Sequence, residues 1–177
     1  MSTAVFGTML KHSIADVDRG LLRQAVAAGL QNQDGRSRGV VGHVYKMLSY
    51  EEIKPLLPVI CEAVKVPAPS GIMFADGIRI QGLEILAKHQ VKEGIPLCLS
   101  FVDTDRWNKK RRILSCLKIL SKYGTAAKSE LPKLRQLEQA LRKHREAKGF
   151  GEIFAQIDQM VKELESDKPA PTLRSIE

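Results

Sequence analysis

The chain has 177 residues, 44% of them hydrophobic, 27% charged and 5% aromatic, a composition that excludes intrinsic disorder, collagen and a disulfide-stapled mini-protein. Three cysteines, an odd number set among apolar neighbours, point to a reducing, cytoplasmic setting without disulfides. The net charge of +8 is concentrated, because residues 106–150 hold fourteen basic and three acidic side chains, and such a block attracts nucleic acid, anionic membrane or an acidic protein. The longest uncharged apolar stretch, Ile95 to Val102, is too short to cross a bilayer, so no membrane insertion is expected. Met1 to Lys11 lacks the basic start of a signal peptide.

Apolar residues recur with the 3.6-residue period of helices, and strand-like alternation is nearly absent. After a short helical segment at residues 1–11, Leu21, Leu22, Ala25, Val26 and Leu30 mark a helix near residues 16–31. Val40, Val41, Val44, Met47 and Leu48 mark the next. Leu56, Val59, Ile60, Ala63 and Val64 follow, then Ile78, Leu83, Ile85 and Leu86, and a shorter segment on Ile95, Leu97, Leu99 and Val102. Ile113, Leu114, Leu117, Leu120 and Tyr123 precede a helix on Leu131, Leu134, Leu137 and Leu141, and Ile153, Ile157, Met160, Val161 and Leu164 close the series. The fold class is all-α.

Punctuation agrees with these helices. Ser49 followed by Glu52 has the spacing of a capping box. Gly124 suits a positive-φ position after Tyr123. Asp34-Gly35 and Asp103-Thr104-Asp105 are turn-forming clusters, and Pro67 to Gly71 cannot be helical throughout. Pro55 and Pro58 conflict with a helix running from the capping box, so the box is read as closing a short turn, with the main helix beginning near Pro55. The register around residues 49–58 and 66–78 stays open. Residues 1–167 are read as one domain and residues 168–177, with Pro169 and Pro171, as a flexible tail.

Three stretches align when stacked: Val44 to Tyr50, Leu83 to His89 and Leu117 to Tyr123. Their anchors Leu48, Leu86 and Leu120 lie 38 and 34 residues apart, and each is followed ten to twelve residues later by a proline: Pro58, Pro96 and Pro132. A proline is tolerated in the first turn of a helix, where the N–H groups have no partner within the helix. Helix pairs at this period mark an α-solenoid. With Ile95 to Asp103 as the second helix of one unit and Asp105 to Leu120 as the turn and first helix of the next, the chain resembles HEAT repeats. A weaker likeness is to helical C-terminal parts of large uncharacterised bacterial proteins, in which case the chain would be part of a longer one. The HEAT resemblance implies a right-handed α-solenoid of about four helix pairs over residues 3–145, with a capping helix at 151–165. It also implies turn aspartates paired with arginines of the following helix: Asp34 with Arg38, Asp76 with Arg79, and Asp103 or Asp105 with Arg111 or Arg112.

The candidate site is a basic binding surface comprising Lys109, Lys110, Arg111, Lys118, Lys122, Lys133, Arg142 and Lys143. The run 109–112 cannot lie on one helix face, since successive residues turn by about 100°. Trp107 is read as core, or partly buried in an inter-repeat turn. His12, His43, His89 and His144 are scattered, and Cys61, Cys98 and Cys116 show no paired spacing, so no metal or cofactor is expected and the thiols are read as buried and inert. No nucleophile, acid–base pair or phosphate loop stands out. The expected function is therefore a non-catalytic helical-repeat scaffold binding another protein on its concave surface, the partner including the remainder of any longer parent chain. The alternative is nucleic-acid binding through the basic 106–150 surface.

Overall fold

The computed structural model describes residues 17–176, without the side chain of Lys46. The helix expected at residues 1–11, and His12, lie outside the described residues. The described chain is helical, with two isolated bridges, Asp34 to Ser70 and Val91 to Arg174, and no strand among the described residues. It divides into two compact units, the first ending at Ile85 and the second beginning at Leu86.

In the first unit, helix α1 (Arg19–Leu30) starts where the Asp18 side chain accepts the Leu21 N–H, and buries Leu22, Val26 and Leu30, one residue per turn. Helix α2 (Gly35–Val41) is capped by Asp34, which accepts from Arg36 N–H, and it packs on α1. The helix expected through Leu48 is not continuous. It stops at Val41, and a 3₁₀ turn over Tyr45–Met47 follows. Val41, Val44, Tyr45 and Leu48 are nevertheless all buried, because a 3₁₀ turn keeps nearly the same inward spacing as an α-helix.

The capping box at Ser49 forms in full and opens the single-turn helix α3 (Tyr50–Ile53). Pro55 falls in a 3₁₀ turn, and the longer helix α4 (Leu57–Lys65) carries Pro58 in its first turn. The chain accommodates both prolines by beginning a new helix there instead of extending α3.

The break at residues 67–71 pairs with the turn at residues 33–35. Gly35 N–H donates to Ser70 O at 2.9 Å, and Ser70 N–H donates to Gln33 O at 3.0 Å. A Cβ on Gly35 would lie 2.4 Å from the Gly71 carbonyl oxygen, and Gly71 itself sits at φ 65°, so both positions require glycine. Two arginines expected in aspartate pairs reach the carbonyl end of α4: Arg38 does so in place of its pair with Asp34, while Arg79 keeps its expected ion pair with Asp76. Arg38 Nη1 donates to Val66 O at 2.9 Å and its Nε to Asn32 O at 2.6 Å. Arg79 Nε donates to Val64 O at 3.3 Å, with Asp76 at 3.9 Å. Guanidinium groups are favoured there because the last carbonyls of a helix carry partial negative charge and have no partner within the helix.

Helix α5 (Ala75–Lys88) contains the boundary between the units. In the second unit, the turn at residues 89–93 leads to α6 (Gly94–Ser100), with Pro96 in its first turn. Helix α7 (Lys109–Leu120) continues into a 3₁₀ segment (Ser121–Glu130) bent at Gly124, whose φ is 51°. Helix α8 (Leu131–Lys143), with Pro132 in its first turn, and α9 (Gly151–Leu164) complete the unit. Helix α7 packs on α6 and α9, and α9 also packs on α8. Tyr123 is fully buried and donates its hydroxyl to Val91 O at 3.0 Å. The terminal segment expected to fray is hydrogen-bonded at Arg174: its N–H donates to Gln90 O, its carbonyl accepts from Lys92 N–H, and its Nη1 donates to His89 O.

Two outcomes test this packing. Leu117 is wholly buried and Leu21 is 64% exposed. Urea unfolding of Leu117→Ala should show a loss of about 2–5 kcal/mol, against under about 0.5 kcal/mol for Leu21→Ala. The second outcome concerns Glu52, whose carboxyl is held down from 4.5 to about 2 by the Arg19 guanidinium, Nε to Oε1 at 2.6 Å, and then by the Ser49 N–H. A pKa lowered in the folded state stabilises above the unfolded value and ceases to do so as pH falls through the folded one. The stabilisation from Glu52 should therefore fade between pH about 4.5 and about 2, and Glu52→Gln should flatten the stability profile across that interval.

Candidate binding surface

The burial of α7 decides where its cations go. Ile113, Cys116, Leu117, Ile119 and Leu120 are buried together with Arg112, so the four basic residues opening the helix meet four surroundings. Lys109 Nζ donates to Glu146 Oε1 at 2.9 Å, with its side chain only 12% exposed. That bond holds the Glu146 carboxyl below its ordinary range. Lys110 Nζ stands 5.8 Å from the centre of the Phe150 ring, within reach of a cation–π contact. Arg111 is exposed. Arg112 is buried and its Nη2 donates to the Trp107 carbonyl at 2.8 Å.

The other cations of the expected surface are divided in the same way. Lys118 reaches Glu152 at 3.4 Å with both side chains largely exposed. Lys133 lies 2.9 Å from Glu130, whose side chain is almost fully buried. Arg142 bonds Glu138 one turn earlier and lies 4.7 Å above the Phe154 ring. Arg135, outside the expected set, bonds Glu165. Lys122 and Lys143 are exposed and, with Arg111, form no ion pair among the described residues. The structure thus brings Arg111, Lys118 and Lys122 onto the solvent side of α7 and its continuation. It pairs Lys109, Lys133 and Arg142 with Glu146, Glu130 and Glu138.

Trp107 corrects the sequence expectation. It is 86% exposed, the largest exposure of any large hydrophobic side chain among the described residues. The physical cause lies in its backbone. Asp103 Oδ1 accepts N–H bonds from Asp105 at 2.9 Å and Arg106 at 3.2 Å, closing a tight turn. Arg112 then fixes the Trp107 carbonyl, and Asn108 turns through φ 60° into α7, a conformation asparagine tolerates better than most residues. The Asp103 carboxylate serves its own backbone, and those two N–H groups, with the nearby charges of Arg112 and Arg106, hold it below its ordinary range, while Asp105 faces His144 Nε2 at 3.4 Å.

The remaining chemistry-bearing groups have structural work. Cys61, Cys98 and Cys116 are buried, and Cys98 Sγ donates to Gly94 O at 3.3 Å, its thiol pushed up by burial. His89 is buried, and desolvation pushes its imidazole below the ordinary range, with Lys88 and Arg174 acting in the same direction. His144 Nδ1 accepts the Glu146 N–H while the ring packs at 5.3 Å from Phe150. Among the described residues no three His, Cys, Asp or Glu side chains are arranged to hold a metal ion, and no helix is long and apolar enough to cross a membrane. A cleft of about 310 Å³ between α8 and α9 is lined by Arg135, Glu138, Asp158, Val161 and Lys162, a set whose opposite charges offset one another.

Burial of the thiols has a direct readout. Ellman's reagent should leave all three cysteines unmodified in the folded chain and titrate all of them in denaturant, since attack requires an accessible thiolate. No protein-family model, curated protein or solved structure matches this chain.

Proposed function

We propose that this chain is a non-catalytic helical-repeat module of HEAT-like helix pairs that binds another protein. The observation carrying this reading is the display of large apolar side chains on fixed backbone. In the first unit, Ile72 and Met73 are 61% and 83% exposed. They sit on a 3₁₀ turn that follows Gly71, beside the segment bonded to residues 33–35. Exposed apolar groups held in place cost solvation without contributing to the core, and methionine is enriched where proteins meet. The repeat reading is supported by Pro58, Pro96 and Pro132, each in the first turn of α4, α6 or α8. The commitment of the cysteines and of His144 to packing and hydrogen bonds supports the non-catalytic reading.

A second reading, nucleic-acid binding, is favoured by one observation: Trp107 is exposed at the foot of the basic helix α7. The two readings separate in one experiment on the full chain. A protein partner should co-elute at fixed stoichiometry and be lost with the Ile72→Asp/Met73→Asp double variant, whose circular dichroism should match the parent. Recovery of nucleic acid instead, with affinity falling by roughly 0.7 to 0.9 log units per log unit of salt for each phosphate contacted, would overturn the protein reading.

A further inference from the structure

The second unit presents an unusual combination. Its most exposed apolar side chain, Trp107, is held on a turn fixed at three points, and a stripe of cations begins one helical turn later. The three points are the Asp103 carboxylate on two N–H groups, the buried Arg112 on the Trp107 carbonyl, and the left-handed Asn108. The indole is therefore presented with little backbone freedom left to lose on binding. Along α7 the exposed positions Arg111 and Lys118 are seven residues apart, two turns on one side, and Lys122 continues that line one turn on. From Arg111 to Lys122 the stripe runs about 16 Å at 1.5 Å per residue.

The carboxylates named near this surface already have partners. Asp103 is bonded to its own turn, Glu146 holds Lys109, and Glu152 meets Lys118 in an exposed pair that is readily exchanged for a better partner. Asp105 is exposed but faces His144. The balance over residues 106–150 remains strongly positive.

We propose that Trp107, Arg111, Lys118 and Lys122 form a docking site for an acidic protein segment, an apolar side chain covering the indole and carboxylates lying along the α7 stripe. This rests on the protein-binding reading above and adds to its Ile72 and Met73 contact a second one, with its own partner chemistry, in the second unit. Single-stranded nucleic acid fits less well because it is held by several stacking side chains in succession. Of the other aromatics near the stripe, Tyr123 and Phe150 are buried. Tryptophan and arginine are instead among the residue types in which protein–protein hot spots are enriched.

Trp107 is the chain's one tryptophan, so its fluorescence reports on this site alone. The probes are a synthetic peptide with two leucines followed by a run of glutamates, its glutamine counterpart, and oligo-dT. The acidic peptide should shift the full chain's emission to shorter wavelength, protect it from acrylamide, and bind more weakly as salt rises. The Arg111→Glu/Lys118→Glu variant should weaken binding about tenfold or more. By anisotropy of the labelled peptide, Trp107→Ala should do likewise while Trp107→Phe retains part of the affinity. An unchanged emission with a folded chain, equal binding of the glutamine peptide, or tighter binding of oligo-dT would each overturn the assignment. If a co-eluting protein partner is held equally by the parent, by Arg111→Glu/Lys118→Glu and by Trp107→Ala, the docking site is wrong while the protein-binding reading stands.

Discussion

Helix α7 has twelve residues, and six of them are buried. A helix of this length that packs on α6 and α9 has one side left for solvent, and the 100° step between residues fixes which side chains occupy it. The charge distribution of the second unit follows. A run of four basic residues becomes one internal ion pair at Lys109, one ring contact at Lys110, one solvent-facing guanidinium at Arg111 and one buried clamp at Arg112. Burying a guanidinium is costly unless its donors are used, and Arg112 uses its Nη2 to fix the Trp107 carbonyl. The packing of α7 thus reaches outward to the exposed indole.

Arginine plays a similar role in the first unit. Arg38 and Arg79 converge on the carbonyl end of α4, at Val66 and Val64. A guanidinium offers several donors in a fixed plane, which lets Arg38 span Asn32 O and Val66 O at once. The expected pairing with Asp34 is displaced because Asp34 is occupied as the cap of α2. A short carboxylate beside free N–H groups at a helix start finds its donors locally, leaving the longer arginine to reach across to another helix.

The second unit is closed by Tyr123. Its hydroxyl donates to Val91 O, and a Cβ on Gly94 would lie 2.1 Å from the Tyr123 hydroxyl oxygen. Glycine at position 94 is what allows the 3₁₀ segment after α7 to approach the start of α6. The turn before α6 also receives Arg174 from the chain's last residues, through two backbone bonds and one side-chain bond. The Gln90 to Val91 backbone is thereby satisfied from both directions, as buried polar groups require.

How much of this was legible in the sequence depends on the range of the interaction. Local physics was legible. The 3.6-residue period gave the helices, the Ser49–Glu52 spacing gave a capping box that forms as expected, and Pro58, Pro96 and Pro132 mark first turns because proline lacks the N–H a helix interior needs. The environments of Lys109 to Arg112 were partly legible, since helical rotation alone says they cannot share a face. The partners were not. Glu146 lies 37 residues from Lys109 and Val66 lies 28 from Arg38, separations at which no spacing rule operates. Trp107 shows the limit most plainly. Its hydrophobicity argued for burial, but three backbone constraints around it, one supplied by a buried arginine five residues on, turn the indole to solvent. Composition and periodicity record what each residue prefers. Only the tertiary structure decides which preference yields when neighbours compete for the same space.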